Sequence, residues 1–424
     1  MSAAATLSAS PAKVASVLSP GGVEAWHVHS DVVPLVALAF TFEGGAAQDP
    51  NGKAGAAQML ARLLDEGAGP YSSDAFQERL AARAIELSFN AGPDAVGGSL
   101  KTLVRHADEA FELLRLALAE PRFDADAIER VRAQTIAGLR YQQNDPGVMA
   151  SRRFFAEAFP GHPYGEPTGG TIESVAAITR ADLLDLHARV VAKGREKIAA
   201  VGSIGADGLA AALDGVFATL PEPAPGAPVP PTRIAGRGTR HVVDLDVPQS
   251  VIRFGTDGVS WCDPDFIAAY VLNHILGGGA FTSRLFQEVR EKRGLAYSVG
   301  TSLVSYRGAA MTWGYTATKN ERVAECLAVI EAEMARLKDE GPSDEELKKA
   351  KDYLTGSYAL GFDTSTKIAH QLAQVAFEGL GIDYIARRNS LVAAVTQADI
   401  RRAAERTLGD GRLLVVVAGR PVGL

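Results

Sequence analysis

The chain alternates between short apolar runs and longer segments in which apolar residues recur every three or four positions. Continuous apolar runs at residues 35–42 and 251–254 predict buried strands. The helical period predicts helices over residues 54–66, 74–86, 126–141, 180–192, 283–292 and 343–358. These elements do not follow a regular β-α-β alternation, so the pattern favours an α+β fold over a doubly wound sheet.

The first predicted helix has a well-defined apolar face and a clear end. Gly67 follows the last apolar position, and glycine is the usual residue just beyond a helix C-terminus. The apolar face is formed by Ala56, Met59, Leu60 and Leu63. The sequence therefore predicts an amphipathic helix that packs against a core soon after the first long strand.

A proline-rich segment, PEPAPGAPVPP at residues 221–231, interrupts all periodic pattern near the middle of the chain. Such a composition favours an extended, semi-rigid connector. We therefore expect an amino-terminal domain over residues 1–220, a linker over 221–238 and a carboxy-terminal domain over 239–424.

The two halves contain an internal repeat. SVAAITRADLLDL in the first half aligns without gaps on LVAAVTQADIRRA in the second, which places Thr179 and Thr396 217 residues apart. Each threonine is a predicted helix N-cap, and Asp182 and Asp399 complete matching capping boxes three residues later. The same offset aligns IAAVG, ending at Gly202, on VVVAG. The repeat predicts duplicated domains, each closing with a capped helix and a buried strand.

Composition and charge exclude several function classes. The net charge is −7 with acidic and basic residues interspersed, so the basic stripe of a nucleic-acid-binding protein is absent from the sequence. No run approaches ~18 consecutive apolar residues, so we expect no membrane span. Cys262 and Cys326 are the only cysteines, too few for a disulfide framework or a thiolate zinc site. Without a signal-peptide pattern at the amino terminus, a cytoplasmic location is expected by default, or a periplasmic one if an export signal was removed.

Three longer motifs resemble the pitrilysin/insulinase family of zinc peptidases (the inverzincins), which includes the processing peptidases. These are GGAAQDPNGKAGAAQMLARLLDEGAG from Gly44, HPYGEPTGGTIESVAAIT from His162 and LGGGAFTSRLFQEVREKRGLAYSV from Leu276. The resemblance covers nearly the whole chain. It implies two homologous α/β-layered domains, each a sheet covered by helices, in a clamshell arrangement.

The catalytic motif of that family is missing. Active members have H-x-x-E-H on the first helix, with two zinc-binding histidines and a glutamate that activates water. This chain has Gln58, Ala61 and Arg62 at those positions, and Ala137 and Gly138 where a later helix would supply a ligand carboxylate. Catalytic zinc requires about three N, O or S protein ligands. We therefore expect no metal site and no hydrolysis by this chain alone.

The histidines do not rebuild a site in the sequence. His27 and His29 share a face of a predicted strand and could chelate a metal, although an incidental pair is favoured. No serine or cysteine lies in a nucleophile-elbow or Cys–His context. Gly277, Gly278 and Gly279 lack the spacing of a phosphate-binding loop.

Arg290 and Tyr297 are the candidate site residues of the second half. From spacing alone, Arg290 would complement a helix dipole and Tyr297 would half-bury its ring in a sheet. The family resemblance implies another role, because an arginine and a tyrosine with this separation face the zinc and hold the substrate backbone and oxyanion. The preceding glycines at 277–279 either allow close approach of a peptide backbone or form a flexible connector.

The resemblance thus implies a non-catalytic, substrate-binding subunit of a heterodimeric zinc metallopeptidase that cleaves peptides or unfolded segments. Its partner would carry H-x-x-E-H and the zinc, while this chain would hold no cofactor and supply Arg290 and Tyr297. Two alternatives remain. Zinc-free relatives serve as structural core subunits of a respiratory complex, and a stand-alone peptide-binding protein would act as a homodimer without a catalytic partner.

Overall fold

The computed structural model describes residues 14–226 and 228–424, so the expectation for the amino-terminal residues 1–13 lies outside the described residues. The strands are β1 Ala15–Leu18, β2 Glu24–His29, β3 Leu35–Glu43, β4 Glu86–Ala91, β5 Ala95–Leu103, β6 Glu196–Gly202, β7 Arg240–Val243, β8 Gln249–Asp257, β9 Ala296–Ser305, β10 Ala310–Lys319 and β11 Leu414–Ala418.

The α-helices are α1 Ala56–Leu63, α2 Ser73–Ala82, α3 Ala107–Ala119, α4 Ala125–Gln142, α5 Pro146–Ala158, α6 Ile172–Ala177, α7 Arg180–Val190, α8 Ala206–Val216, α9 Phe266–Asn273, α10 Val323–Glu340, α11 Asp344–Gly356, α12 Ser365–Phe377, α13 Tyr384–Ala394 and α14 Gln397–Thr407. Two π-helical turns, His274–Gly278 and Phe286–Glu291, lie in the second half. None of the helices in the described residues is both long enough and apolar enough to cross a bilayer.

Two open sheets have the same topology, which confirms the predicted α+β fold of two homologous layered domains. The first sheet has the strand order β1-β2-β6-β3-β5-β4, and the second has β7-β11-β8-β10-β9. Apart from β1, the orders match strand for strand, and in each sheet one parallel pair (β2 with β6, β7 with β11) stands beside antiparallel pairs. Five α-helices lie between β5 and β6, and five lie between β10 and β11.

The repeated caps and strand ends are confirmed in detail. The side-chain oxygens of Thr179 and Thr396 accept from the backbone N–H of Asp182 and Asp399, and both capping boxes are complete. Gly202 ends β6 with φ +138°, and Gly419 follows β11 with φ +147°. A side chain at Gly202 would place Cβ 2.1 Å from the carbonyl oxygen of Leu35 at the start of β3. Only glycine fits at this close approach of two paired strands.

Removing one of the repeated caps should have a measurable cost. We expect Thr396→Ala to lower the free energy of unfolding by about 1 kcal/mol, because the N–H of Asp399 loses its acceptor. Urea titration followed by circular dichroism measures this change. Thr396→Ser keeps the hydroxyl and is the control, so equal losses in both variants would show that the hydroxyl does not stabilise α14.

The predicted bounds need correction at two helices. The helix predicted over 74–86 ends at Ala82, and Glu86 already begins β4. Ala84 has φ +51°, a backbone conformation that stops the helix and turns the chain into the strand. The helix predicted over 283–292 is largely the π-helical turn Phe286–Glu291. Its hydrogen bonds join residues five apart, so the chain is wound less tightly than in an α-helix.

The two domains exchange one helix each. Although α5 belongs to the first half, its Ala150, Phe154 and Ala158 are buried against Leu414 and Val416 of the second sheet. A Cβ at Gly255 in β8 would lie 2.6 Å from Cζ of Phe154, so the glycine leaves the space that the phenyl ring fills.

Helix α12 makes the reciprocal contact. Its Ala369, Leu372 and Ala373 are buried against Ala39 and Ala199 of the first sheet. Each sheet therefore has one face covered by helices of its own half and contacts on the other face a helix from the other half. The sequence repeat did not predict this exchange, since the caps and strand ends that define the repeat are local features.

The predicted linker, residues 221–238, has neither helix nor strand in its described residues and is held to both halves by backbone hydrogen bonds. The N–H of Ala224 donates to the Ala188 carbonyl at 3.1 Å, and the N–H of Thr232 donates to the Gly308 carbonyl at 2.7 Å. These bonds fix the segment along its path between the domains.

Candidate functional site

Helix α1, which carries the positions of the family's catalytic motif, is fixed by a carboxylate at its start. Asp49 accepts from the N–H of Gly55 at 2.7 Å and of Ala57 at 2.8 Å. Burial raises the pKa of Asp49 to about 7, although the helix amides act in the opposite direction. The predicted apolar face is confirmed, because Ala56, Met59, Leu60 and Leu63 are all buried.

The side chains at the three motif positions all contact neighbouring parts of the protein. Nε2 of Gln58 donates to the carbonyl oxygen of Ala91 at 2.6 Å, at the end of β4. Ala61 is buried. Nη1 of Arg62 donates to Oγ1 of Thr135 on α4 at 3.2 Å. An amide already used as a donor, a methyl group and a guanidinium cation cannot form the ligand set of a zinc ion.

The later positions supply no carboxylate. Ala137 and Gly138 are exposed on α4. Within residues 14–226 and 228–424, no group of three or more His, Cys, Asp or Glu side chains is close enough to hold a metal ion. The residues at the family's metal positions therefore do not fit zinc, and no step of hydrolysis can be assigned to them.

The histidine pair on β2 is held by the chain itself. His29 is exposed, and its ring nitrogens lie 3.0 Å from the Ile204 carbonyl oxygen and 2.9 Å from Oδ2 of Asp31. His27 is buried, which lowers its pKa, and its ring centroid lies 6.1 Å from that of His29. Both nitrogens of His29 already face oxygen atoms, so the pair does not present two free ligands to a metal.

The structure brings Arg290 and Tyr297 together. Arg290 lies in the second π-helical turn and Tyr297 in β9, and Cζ of Arg290 is 4.8 Å from the centroid of the Tyr297 ring. The same Cζ atom of Arg290 lies 4.7 Å from the centroid of the Phe286 ring and 6.0 Å from that of the Phe281 ring. Three aromatic rings therefore position the guanidinium through cation–π contacts.

The polar groups of this pair remain available. Neither the N–H groups of Arg290 nor the hydroxyl of Tyr297 forms a hydrogen bond within the described part of the chain, and the closest ion-pair contact of Arg290 is Oε1 of Glu291 at 3.9 Å. Tyr297 is 83% exposed and Phe281 67% exposed. The sequence-based alternative in which Tyr297 half-buries its ring is therefore wrong. Phe281 was missed by the sequence reasoning, although its place two residues after the glycine run was a usable signal.

The three glycines before the pair approach their own chain closely. A Cβ at Gly277 would lie 2.5 Å from Oγ1 of Thr301 in β9, and one at Gly279 would lie 2.6 Å from the His274 carbonyl oxygen. Gly277 and Gly278 lie in the first π-helical turn. The glycines allow that turn to pack on β9, which places Phe281 and Arg290 beside Tyr297. Their contact with a peptide stays a prediction.

A duplicated α+β fold with the zinc-peptidase helix but without its ligands defines a class of protein: a metallopeptidase homologue that has lost its metal site. Residues 27–172 match the family model described as Insulinase (Peptidase family M16), and residues 177–354 match the model described as Peptidase M16 inactive domain.

Relatives support the assignment over most of the chain. An uncharacterized zinc protease of Mycobacterium bovis is 30% identical over 379 residues, which cover 86% of this chain and 85% of the relative. The non-peptidase homolog YmxG of Helicobacter pylori is 25% identical over 354 residues, covering 83% and 82%. The solved structure of a peptidase M16 inactive domain from Pseudomonas fluorescens superposes with a TM-score of 0.90 at 27% identity, covering 97% and 98%. The chain belongs to peptidase family M16, as a non-catalytic member without the H-x-x-E-H motif.

Proposed function

We propose that this chain is the substrate-binding subunit of a heterodimeric zinc metallopeptidase and that it supplies Arg290 and Tyr297 to the active site of a catalytic partner. The partner carries H-x-x-E-H and the zinc, and the substrates are peptides or unfolded segments of proteins. The proposal depends mainly on the surroundings of the Arg290 side chain. Aromatic rings position its guanidinium, and the guanidinium N–H groups have no hydrogen-bond acceptor in the described residues.

This arrangement suits an oxyanion or a substrate carbonyl. A guanidinium offers five N–H donors in a fixed plane, and the tyrosine hydroxyl adds another. Donors that are preorganised around a developing negative charge need no reorganisation when the charge forms, which is the basis of oxyanion stabilisation. A structural subunit has no need of such a pair on an exposed surface.

The missing ligands on α1 support the same division of roles. Because Gln58, Ala61 and Arg62 cannot hold zinc, hydrolysis requires a metal from a second chain. Zinc in the partner would polarise the scissile carbonyl and activate water. The residues of this chain would bind the peptide backbone and stabilise the negative charge on the carbonyl oxygen.

Co-purification with an H-x-x-E-H homologue from the same genome tests the proposal. We expect a one-to-one complex that contains zinc and cleaves unfolded peptides, whereas this chain alone contains no stoichiometric zinc and cleaves nothing. Size-exclusion chromatography, metal analysis and a fluorogenic peptide assay measure these three properties. A catalytic partner that is equally active without this chain would contradict the proposal, as would zinc-dependent activity of this chain alone.

The experiment also separates the alternatives. A structural subunit would co-purify with a larger assembly and leave peptide cleavage unchanged. A stand-alone peptide-binding protein would form a homodimer with measurable peptide affinity and no partner. The compartment, cytoplasm or periplasm, stays a prediction that fractionation of the source cells would test.

A further inference from the structure

A cleft of 640 Å³ lies where the first half meets the second sheet. One wall is the amino-terminal part of α5, with Gly147, Ser151 and Arg152, and another contains Arg253 of β8 and Tyr306. The cleft lies outside the Arg290–Tyr297 site, and the helix exchange creates it, since α5 comes from one half and β8 from the other.

Arg253 is a partly buried cation without a carboxylate partner among the described residues. Its Nε donates to Oγ of Ser151 at 2.9 Å, while Nη1 and Nη2 make only long contacts to the carbonyl oxygens of Ile252 (3.3 Å) and Gly147 (3.4 Å). Its guanidinium carbon is 5.4 Å from the ring of Trp313. Burial lowers the pKa of Arg253, although the nearby charge of Asp145, which forms no ion pair with it, acts in the opposite direction.

Gly147 helps to keep the guanidinium accessible. A Cβ at this position would lie 3.1 Å from Nη2 of Arg253 and 3.1 Å from Oδ1 of Asp145. The absent side chain therefore leaves open space between the arginine and the cap of α5. Oδ1 of Asp145 accepts from the N–H of Val148 at 2.9 Å, so this carboxylate serves the helix start.

Two more donors line the cleft. Arg152 forms neither an ion pair nor a hydrogen bond in residues 14–226 and 228–424, and the Tyr306 hydroxyl forms no hydrogen bond in the same part of the chain. The acidic groups of the cleft are Asp145 and Glu166, both exposed at its edge. Neither is ion-paired with Arg152 or Arg253, so the interior of the cleft retains an excess of donors.

We propose that this cleft binds a carboxylate group of a peptide, either the carboxy terminus or an acidic side chain. A guanidinium and a carboxylate match in a planar, two-point geometry, and such charge-assisted bonds are among the strongest in proteins. The apolar side chains of Leu139 and Phe155 line the same cleft and suit the rest of a peptide. A dianionic phosphate is disfavoured, because Asp145 and Glu166 would repel a second charge.

The position of the cleft suits an extended peptide. Ala91, whose carbonyl oxygen holds Gln58, lies in its wall. Leu139 also lines it and follows Thr135, the partner of Arg62, by about one helical turn on α4. The cleft therefore begins beside the family's former metal positions and leads to Arg253.

Peptide binding to the isolated chain tests this inference without the catalytic partner, so its outcome is independent of the proposed function. The probes are decapeptides labelled with an uncharged dye of the BODIPY class, in four forms: with and without one internal glutamate, and each with a free or an amidated carboxy terminus. Fluorescence anisotropy at about 0.05 M and 0.15 M salt measures Kd. We expect at least one carboxylate-bearing form to bind about tenfold more tightly than the form with neither group.

Variants locate the binding. We expect Arg152→Ala and Arg253→Gln each to weaken the favoured peptide about tenfold. Arg153→Ala is the matched control, because Arg153 is the next residue on α5 and is exposed and paired with Glu157. If Arg253→Gln does not fold, the peptide affinities of Arg152→Ala and Arg253→Lys test the proposal instead.

The four probes distinguish the two sources of the carboxylate. Loss of affinity on amidation identifies the carboxy terminus, and loss on removing glutamate identifies the side chain. Equal affinities for all four forms would overturn the proposal. So would unchanged affinity in both Arg152→Ala and the folded variant at Arg253.

Discussion

In the assembled complex, Arg290→Ala should lower kcat/KM for peptide cleavage about 100-fold, since one preorganised oxyanion donor is typically worth ~3 kcal/mol of barrier. The structure supports a large effect because no second described arginine stacks between the Phe286 and Tyr297 rings. Tyr297→Phe keeps the ring that positions Arg290 and removes only the hydroxyl, so we expect about a tenfold loss. Steady-state kinetics with a fluorogenic peptide give both values.

The controls separate chemistry from assembly. Arg401→Ala removes an exposed arginine on α14 and should leave kcat/KM unchanged. Zinc content and complex stability should be the same in all four proteins, because neither Arg290 nor Tyr297 would hold the metal and neither side chain is part of the buried core. Full activity of both Arg290→Ala and Tyr297→Phe in a well-formed complex would show that the pair is not part of the active site.

Phe154→Ala should lower the free energy of unfolding by about 3–5 kcal/mol, the range for removing a buried phenyl ring. Phe154 is fully buried, and its ring fills the space beside Gly255 in the second sheet. Because Phe154 belongs to the first half of the chain, its loss weakens the packing that joins the two domains. Urea titration followed by both circular dichroism and tryptophan fluorescence measures the change.

The two probes also test the coupling of the domains. Trp26 lies in β2 of the first sheet and Trp313 in β10 of the second, so fluorescence monitors both sheets. We expect a single transition in the wild-type protein, because α5 and α12 each cover the other domain's sheet. Arg153→Ala changes an exposed residue of the same helix and should stay within about 0.5 kcal/mol of wild type. A loss below about 1 kcal/mol in Phe154→Ala would contradict the packing at Gly255.

Features that depend on residues a few positions apart were accessible from the sequence. The capping boxes at Thr179 and Thr396 each join groups within three residues, so their spacing alone predicted them correctly. The same holds for the apolar face of α1 and for the absent ligands at Gln58, Ala61 and Arg62. A zinc site on a helix requires particular side chains at a fixed spacing, so its loss is visible without coordinates.

The sequence predicted only part of the arrangement of Arg290 and Tyr297. Sequence spacing placed Arg290 near a helix end and Tyr297 near a strand start, but it favoured a half-buried ring. The π-helical turn and the close packing of Gly277 on Thr301 decide that the two side chains stack, with Arg290 half-buried and Tyr297 exposed. A helical turn of this kind has no distinctive sequence signature, since it depends on the packing of the whole segment on β9.

The sequence by itself thus determined the duplication, the loss of the metal ligands and the family to which the chain belongs. Only the tertiary structure decided the exchange of α5 and α12, the stacking of Arg290 and the cleft around Arg253. The physical reason is the range of the interactions. Arg253 meets Ser151 across 102 positions of the chain, and such contacts follow from the burial of apolar faces rather than from local spacing.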